Sequence, residues 1–265
     1  MQDRSASTAY QDLEFAIRFD HYRPAPPPEL IEAIIELAGA QPSRVLDLGS
    51  GTGLSTAVWS ATARLVIGLE QFTAMRLVAV QHGQPAIAFV GGSAYQIPLA
   101  SGQLDVVTCS QSLHWMDPAQ TFPEVARVLR KSGVFAAYDY DWPPQISAPL
   151  EQALQEFRMA TRAIQDPQYL NQPRWPKDGH LERLRASGYF DSAGEIILEH
   201  TEPGSVARLI GHLTSLGGIG RLIEQGNQDV IQGIAALRRS ALEQLGPGEF
   251  PFKYRYRARY GIKSV

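Results

Sequence analysis

The chain has 265 residues, 44% of them apolar and 19% charged, the balance of a globular protein with a sizeable core rather than a disordered one. Its 24 basic and 27 acidic side chains leave a net charge of −3, so nothing in the overall charge recruits nucleic acid or an anionic membrane. A single cysteine, Cys109, excludes an intrachain disulfide and any multi-cysteine metal site and suits a reducing compartment.

The N-terminal MQDRSASTAYQDLEF is polar and acidic, without the apolar core of a secretion signal, and no later stretch is long and apolar enough to span a bilayer. A soluble cytoplasmic protein is expected. The first regular element is expected after RPAPPP, where Leu30, Ile31, Ile34, Ile35 and Ala38 recur at helical spacing, prolines stand before the start and Gly39 closes the end. Short apolar strands then alternate with helices: strands at 44–49, 64–70, 86–92, 104–110 and 133–141, with helical patterns in LSTAVWSATA, TAMRLVAVQHG and PAQTFPEVARVLRKSG. The last of these helices is expected to run from Pro118 to Gly133. Such alternation implies a parallel sheet covered on both faces. After Pro144 the rhythm breaks into a helical region near 148–187, a strand at 194–201 and a second helical region at 205–245. The chain closes with FPFKYRYRARYGI, in which Phe252, Tyr254, Tyr256, Ala258 and Tyr260 alternate with Lys253, Arg255, Arg257 and Arg259; period two predicts a strand with a solvated basic face. The segmentation expected is an N-terminal arm and helix (1–43), a core (44–144), a helical insertion (145–192), a strand (193–203), a second insertion (204–248) and a last strand (249–265), the insertions acting as a lid.

In VLDLGSGTGLST a strand ends in glycines at alternate positions, Gly49, Gly51 and Gly53. Ligands of open parallel sheets sit beyond the carboxyl ends of strands, and bare backbone there can turn tightly and bring N–H groups to a ligand. The next strand ends in Glu70, about twenty residues on, where an acid can accept both hydroxyls of a ribose. A dinucleotide loop needs its third glycine at the sixth position, and here that position is Leu54 or Thr56. Asp47 repels a phosphate but attracts an ammonium, which points to a nucleoside carrying an amino acid and a positive sulfonium, S-adenosylmethionine.

The blocks VLDLGSGTG, VIGLEQ, GGSAYQIPLASGQLDVVTCSQSLHW and FPEVARVLRKSGVF, in this order, resemble the class I S-adenosylmethionine-dependent methyltransferases. FDHYRPAPPPEL is similar to the Tyr-Arg-Pro segment of the trans-aconitate methyltransferase group, within a small-molecule branch that also holds the ubiquinone-type enzymes. The resemblance covers about residues 15–140 and implies an α/β, doubly wound, mostly parallel seven-stranded sheet with an antiparallel last strand. It further implies that Gly49, Ser50 and Gly51 lie against the methionine of the cofactor, with Asp47 near its ammonium. Glu70 would hold the ribose, Gln71 would lie near the adenine, and Ser93 and Ala94 match a block that usually reads Asp-Ala and contacts the adenine amine. Ser110 and Gln111 would flank the methionine chain.

His114, after the fourth strand, is a candidate general base, the other reading being that it and Trp115 wall the pocket. Arg23, beside Tyr22, can fork onto a substrate carboxylate or anchor the N-terminal arm. In YDYDW, Tyr138, Tyr140 and Trp142 face one way and Asp139 and Asp141 the other; Tyr140 and Asp141 are site candidates and Tyr138 a packing one. His21, His82, His180, His200 and His212 show no metal-ligand spacing, so no metal is expected. The expected reaction is methyl transfer by in-line displacement to a small-molecule acceptor, with oxygen favoured. Carbon methylation, a non-methylating reaction on the same fold and a cofactor-binding protein without catalysis remain open.

Overall fold

In a computed structural model, which describes residues 9–165 and 173–264, seven strands form one sheet. They are β1 (Arg44–Leu48), β2 (Leu65–Glu70), β3 (Ile87–Gly91), β4 (Leu104–Ser110), β5 (Leu129–Tyr140), β6 (Phe190–Gly204) and β7 (Phe250–Lys263). Their order is β3-β2-β1-β4-β5-β7-β6, as the doubly wound reading requires. Ladders β1–β2, β2–β3, β1–β4 and β4–β5 are parallel, and β7 runs antiparallel to β5 with Val134 opposite Ile262 and Tyr140 opposite Tyr256. The winding reverses beside β1, which lies between β2 and β4, so the end of β1 is the place where this fold offers a crevice.

The chain divides into two compact units. One, the sheet unit, comprises Pro24–Tyr140, Pro173–Leu198 and Tyr256–Val265; the other, the helical unit, comprises Met1–Arg23, Asp141–Gln172 and Glu199–Arg255. In the sheet unit the inner strands are buried because both faces carry aliphatic side chains. Leu46, Leu48, Leu69, Val107 and Phe135 are at most 2% exposed and belong to one core cluster. Phe122, Phe135 and Phe190 meet in that cluster with ring centroids 6.0 to 6.2 Å apart.

Helix α2 (Pro28–Ala38) has the expected ends, Pro28 in its first turn and Gly39 left-handed at φ 73°, and buries Leu30, Ile31 and Ile34. Before it lies α1 (Leu13–Tyr22), which the sequence pattern did not predict; Asp12 caps it by accepting from the Phe15 N–H at 2.7 Å. The helices after β1 and β2 are short, α3 (Leu54–Ala57) and α4 (Thr73–Ala79), each continued by a 3₁₀ turn. Helix α5 (Pro118–Val128) ends five residues earlier than expected. Leu129 is fully buried and already in β5, which contains a bulge before Val134 in which Ser132 takes φ 57°.

Within the helical unit are α6 (Ala148–Ala163), α8 (Val206–Thr214), α9 (Gly217–Glu224) and α10 (Gln228–Leu245), while α7 (His180–Ala186) belongs to the sheet unit. The expected helical region 148–187 therefore contains α6 and α7, and its residues 166–172 lie outside the described residues. Gly211 and Gly220 leave room for the rings of Tyr22 and Phe15, which seats α1. Among the described residues no helix is long and apolar enough to cross a membrane.

The basic face predicted for the last strand is only partly solvated. Arg255 is exposed enough to pair with Glu199, but Arg259 is 5% exposed, with Nε 2.8 Å from Glu195 and Nη1 3.4 Å from Asp139. The correction has a simple cause: Asp139 on the neighbouring strand is itself buried, and a buried carboxylate needs a cation beside it.

Candidate functional site

The end of β1 turns sharply through Gly49, Gly51 and Gly53, whose φ angles of 69°, 57° and 88° are left-handed and suit glycine. Their N–H groups are not left for a ligand, contrary to the sequence expectation. Gly49 and Ser50 donate to the Leu69 carbonyl at 2.8 and 3.1 Å, Gly51 donates to Glu70 Oε2 at 2.9 Å, and Gly53 to the Ser50 carbonyl at 2.9 Å. The turn is thus stitched to β2.

Space remains on one side of it. A Cβ on Gly49 would strike Ser112 and Met116, at 2.8 and 2.9 Å, and one on Gly53 would strike Phe89 at 2.8 Å. A Cβ on Gly51 would meet only Met75, at an ordinary 3.5 Å. Gly49 and Gly51 are half-buried, so the open side of the bend lies at Gly51.

Glu70 is 7% exposed and ends β2 beside this opening. Its Oε1 accepts from the Phe72 N–H at 2.8 Å, and Arg76 Nη1 donates to its carbonyl at 2.7 Å. Burial raises its pKa, while the N–H groups of Phe72, Gly51 and Gln71 and the charge of Arg76 oppose the rise. Arg76 and Met75 thus shape the site without having been singled out from the sequence; both stand on the first turns of α4.

Asp47 needs a correction. Its side chain has no exposed surface, and it accepts hydrogen bonds from Ser55 (2.5 Å), Thr56 (2.8 Å) and Thr108 (3.1 Å). A group that touches a ligand must show surface when the ligand is away, so Asp47 does not meet an ammonium. It ties β1 to α3 and β4, and burial raises its pKa against those three hydroxyls. Ser50 is corrected in part: its hydroxyl is buried and turned toward Gly68, so only its backbone borders the bend.

The remaining expected residues fall as follows. Gln71 is exposed just past β2. Ser93 is half-buried and its hydroxyl accepts from the Tyr95 N–H at 3.2 Å; Ala94 packs on the core cluster. Ser110 ends β4, and Gln111 follows it with φ 52°. Ser112, not foreseen, donates to the Leu48 carbonyl at 2.9 Å and so joins the end of β1 to the loop after β4. His114 and Trp115 occupy a 3₁₀ turn, Leu113–Trp115, with ring centroids 5.2 Å apart. Tyr140 is 8% exposed, with its ring edge-on to Tyr256 at 5.8 Å, and Tyr138 is buried in the packing role expected of it. Tyr22 and Arg23 belong to the helical unit. There Arg23 donates to Ser215 Oγ at 2.8 Å and to the Ser215 carbonyl at 2.9 Å and lies over the Phe19 ring, which anchors α1 to the end of α8.

Residues 46–137 match a family described as a methyltransferase domain. An uncharacterized methyltransferase of Mycobacterium tuberculosis is 37% identical over 115 residues, 43% of this chain and 46% of that protein, so the chain spans about half the length of this relative. A malonyl-[acyl-carrier protein] O-methyltransferase of Enterobacter lignolyticus is 30% identical over 207 residues, 77% of this chain and 73% of the relative. The chain belongs to the class I S-adenosylmethionine-dependent methyltransferases. A structure from Anaeromyxobacter dehalogenans described as a type II methyltransferase shares the fold, with a TM-score of 0.70 at 21% identity over 91% of this chain and 98% of that one.

S-adenosylmethionine is the cofactor of this family, and the site fits it. With the N–H groups of Gly49, Ser50 and Gly51 donated to β2 and that of Gly53 to Ser50, the glycine bend offers those four donors to no phosphate. What is offered is a carboxylate, an open space at Gly51 and half-buried backbone, which suit a cationic nucleoside.

Proposed function

We propose that this methyltransferase transfers the methyl group of S-adenosylmethionine to an oxygen, carboxylate or hydroxyl, of a small-molecule acceptor, and that its place is in the small-molecule branch with the trans-aconitate and ubiquinone-type enzymes. The observation that carries the reading is the glycine bend whose donors are spent on β2 beside the buried Glu70. Oxygen as acceptor is supported by the relative whose name gives O-methylation of a malonyl-[acyl-carrier protein]. When bound, the cofactor supplies a methyl group already activated on a sulfonium. The chain's own work is therefore to hold, align and exclude water.

In this reading Glu70 accepts from the ribose hydroxyls, and Gln71, Ser93 and Ala94 border the adenine. The backbone of Gly49, Ser50 and Gly51, together with Ser110 and Gln111, borders the amino-acid end. A carboxylate acceptor needs no base. For a hydroxyl, His114 on the turn after β4 is the proton acceptor of choice, with Tyr140 the second candidate. The proposed setting is the cytoplasm, where the buried free thiol of Cys109 stays reduced.

The test is incubation with methyl-labelled cofactor and a panel of acids, phenols and amines. Label recovered as esters or ethers supports the proposal. Label found only on carbon or nitrogen, or tight cofactor binding without any demethylated product, refutes it.

A further inference from the structure

Three of the five residues that follow β4, 111–115, are held by a short stretch of chain, 174–177. Lys177 Nζ donates to Gln111 Oε1 at 2.6 Å. The Trp175 N–H donates to the His114 carbonyl at 3.0 Å, and the Arg174 guanidinium lies 4.2 Å from the Trp115 ring centroid. All of these residues belong to the sheet unit.

Lys177 is the firmest of the three ties because its other end is fixed. The same ammonium is 2.7 Å from Asp139 Oδ1, a carboxylate on β5 that is buried and also paired with Arg259. Gln111 is the residue in need of fixing. Its φ of 52° is one that a non-glycine side chain keeps only when its surroundings enforce it. Its backbone N–H reaches the Tyr138 carbonyl at 2.9 Å, but its side-chain amide reaches the Tyr140 carbonyl only at 3.5 Å. The short bond from Lys177 therefore holds the end of the side chain.

We propose that Lys177 is a positioning residue for the donor: from the segment 174–177 it locks Gln111, and with it the loop after β4, in the shape that receives the amino-acid end of S-adenosylmethionine. The proposal rests on the reading of the site given above and extends it to a residue outside the matched domain, which ends at residue 137. An ordinary ion pair of a half-exposed lysine would steady the protein without regard to which part of the donor is present. A positioning role discriminates between parts of it.

The experiment uses the full chain with K177Q and K177R, titrated calorimetrically with S-adenosylmethionine and with 5′-methylthioadenosine, which keeps the nucleoside and the sulfur but lacks the amino acid. In K177Q the affinity for S-adenosylmethionine is expected to fall about five- to tenfold, while that for methylthioadenosine stays constant; K177R restores most of the loss. In the free protein, amides of 111–115 are expected to exchange hydrogen faster in K177Q than in the wild type, with the melting temperature little changed. Equal weakening of both ligands, or no weakening with unchanged exchange, overturns the proposal. A wild-type protein that binds neither ligand instead overturns the functional reading, and that failure shows before any variant is made.

Discussion

Replacing Glu70 by Gln separates what the residue does for the ligand from what it does for the fold. In the folded protein the carboxylate accepts from backbone N–H groups, among them Gly51 at 2.9 Å and Phe72 at 2.8 Å. The amide of glutamine keeps one acceptor oxygen and turns an NH₂ toward the other N–H, which leaves a buried donor unmet at a cost of about 1–3 kcal/mol. Against this, the charge whose burial raises the Glu70 pKa is gone. A carboxyl with a raised folded pKa costs stability once pH exceeds its unfolded value, so at pH 7 removing the charge gives something back. The two effects oppose, and stability in urea at pH 7 is expected to change by no more than about 1 kcal/mol. Donor binding has no such compensation. Hydrogen bonds from ribose hydroxyls to a charged acceptor contribute about 1.5–3 kcal/mol, so the Kd for S-adenosylmethionine in calorimetric titration should rise roughly 10- to 150-fold. A variant that loses several kcal/mol of stability while keeping its Kd would refute this assignment, because Glu70 would then be a strut and the ribose would be held elsewhere.

Other expectations concern the packing and charge of the same unit. Gly68→Ala places a Cβ 2.6 Å from the Phe89 ring, so it should cost about 1–3 kcal/mol in urea unfolding, and the double variant with Phe89→Leu should recover part of it. No recovery would mean that the ring is not what the alanine meets. Asp105 is desolvated, yet the N–H of Arg44, the Arg130 guanidinium at 2.6 Å and the N–H of Ser43 hold its carboxyl below the usual range. A depressed folded pKa gives stability above the unfolded value that is lost as pH falls through the folded one. Asp105→Asn should therefore be the less stable protein at pH 7, by about 1 kcal/mol, with the gap closing in strong acid. His180 is held down to about 3 by burial and by Arg183, Arg259 and Lys177, and His212 well below its usual value by burial, Arg23 and Arg208. Below pH 6.5 the unfolded chain takes up protons that these two refuse. Stability should thus fall with falling pH by up to about 1.4 kcal/mol per unit for each, and His180→Gln should flatten the curve. Parallel curves for wild type and variant would contradict this.

The sheet was legible because its inner strands are buried on both faces, which leaves apolar runs such as the LVIGL that precedes Glu70, and because glycine and proline mark both ends of α2. Helix α1 was not: Leu13 and Ile17 are 46% and 52% exposed, so its apolar residues do not fall on one face and the helical period is blurred. The start of β5 was hidden by a bulge, since nothing in LRKSG distinguishes a helix end from a strand with an extra turn of backbone. At the site, residue type and spacing picked out the glycine bend and Glu70. They misassigned Asp47, because a carboxylate at a strand end reads the same whether it faces a ligand or three hydroxyls. Arg259 was misjudged for a related reason: period two gives the face a side chain takes, and the buried acid across the strand decides whether that face is wet. Lys177 left no trace in any pattern, standing 66 residues from Gln111, and pairing at that range is visible only once the chain is folded.

The stitching of the glycine bend onto β2 bears on competition with nucleoside triphosphates, which share the donor's adenosine. A phosphate brought to the bend would give up its water and find the N–H groups of Gly49, Ser50, Gly51 and Gly53 already engaged, with a carboxylate next to them. Discrimination thus comes from hospitality withheld, most of it by backbone.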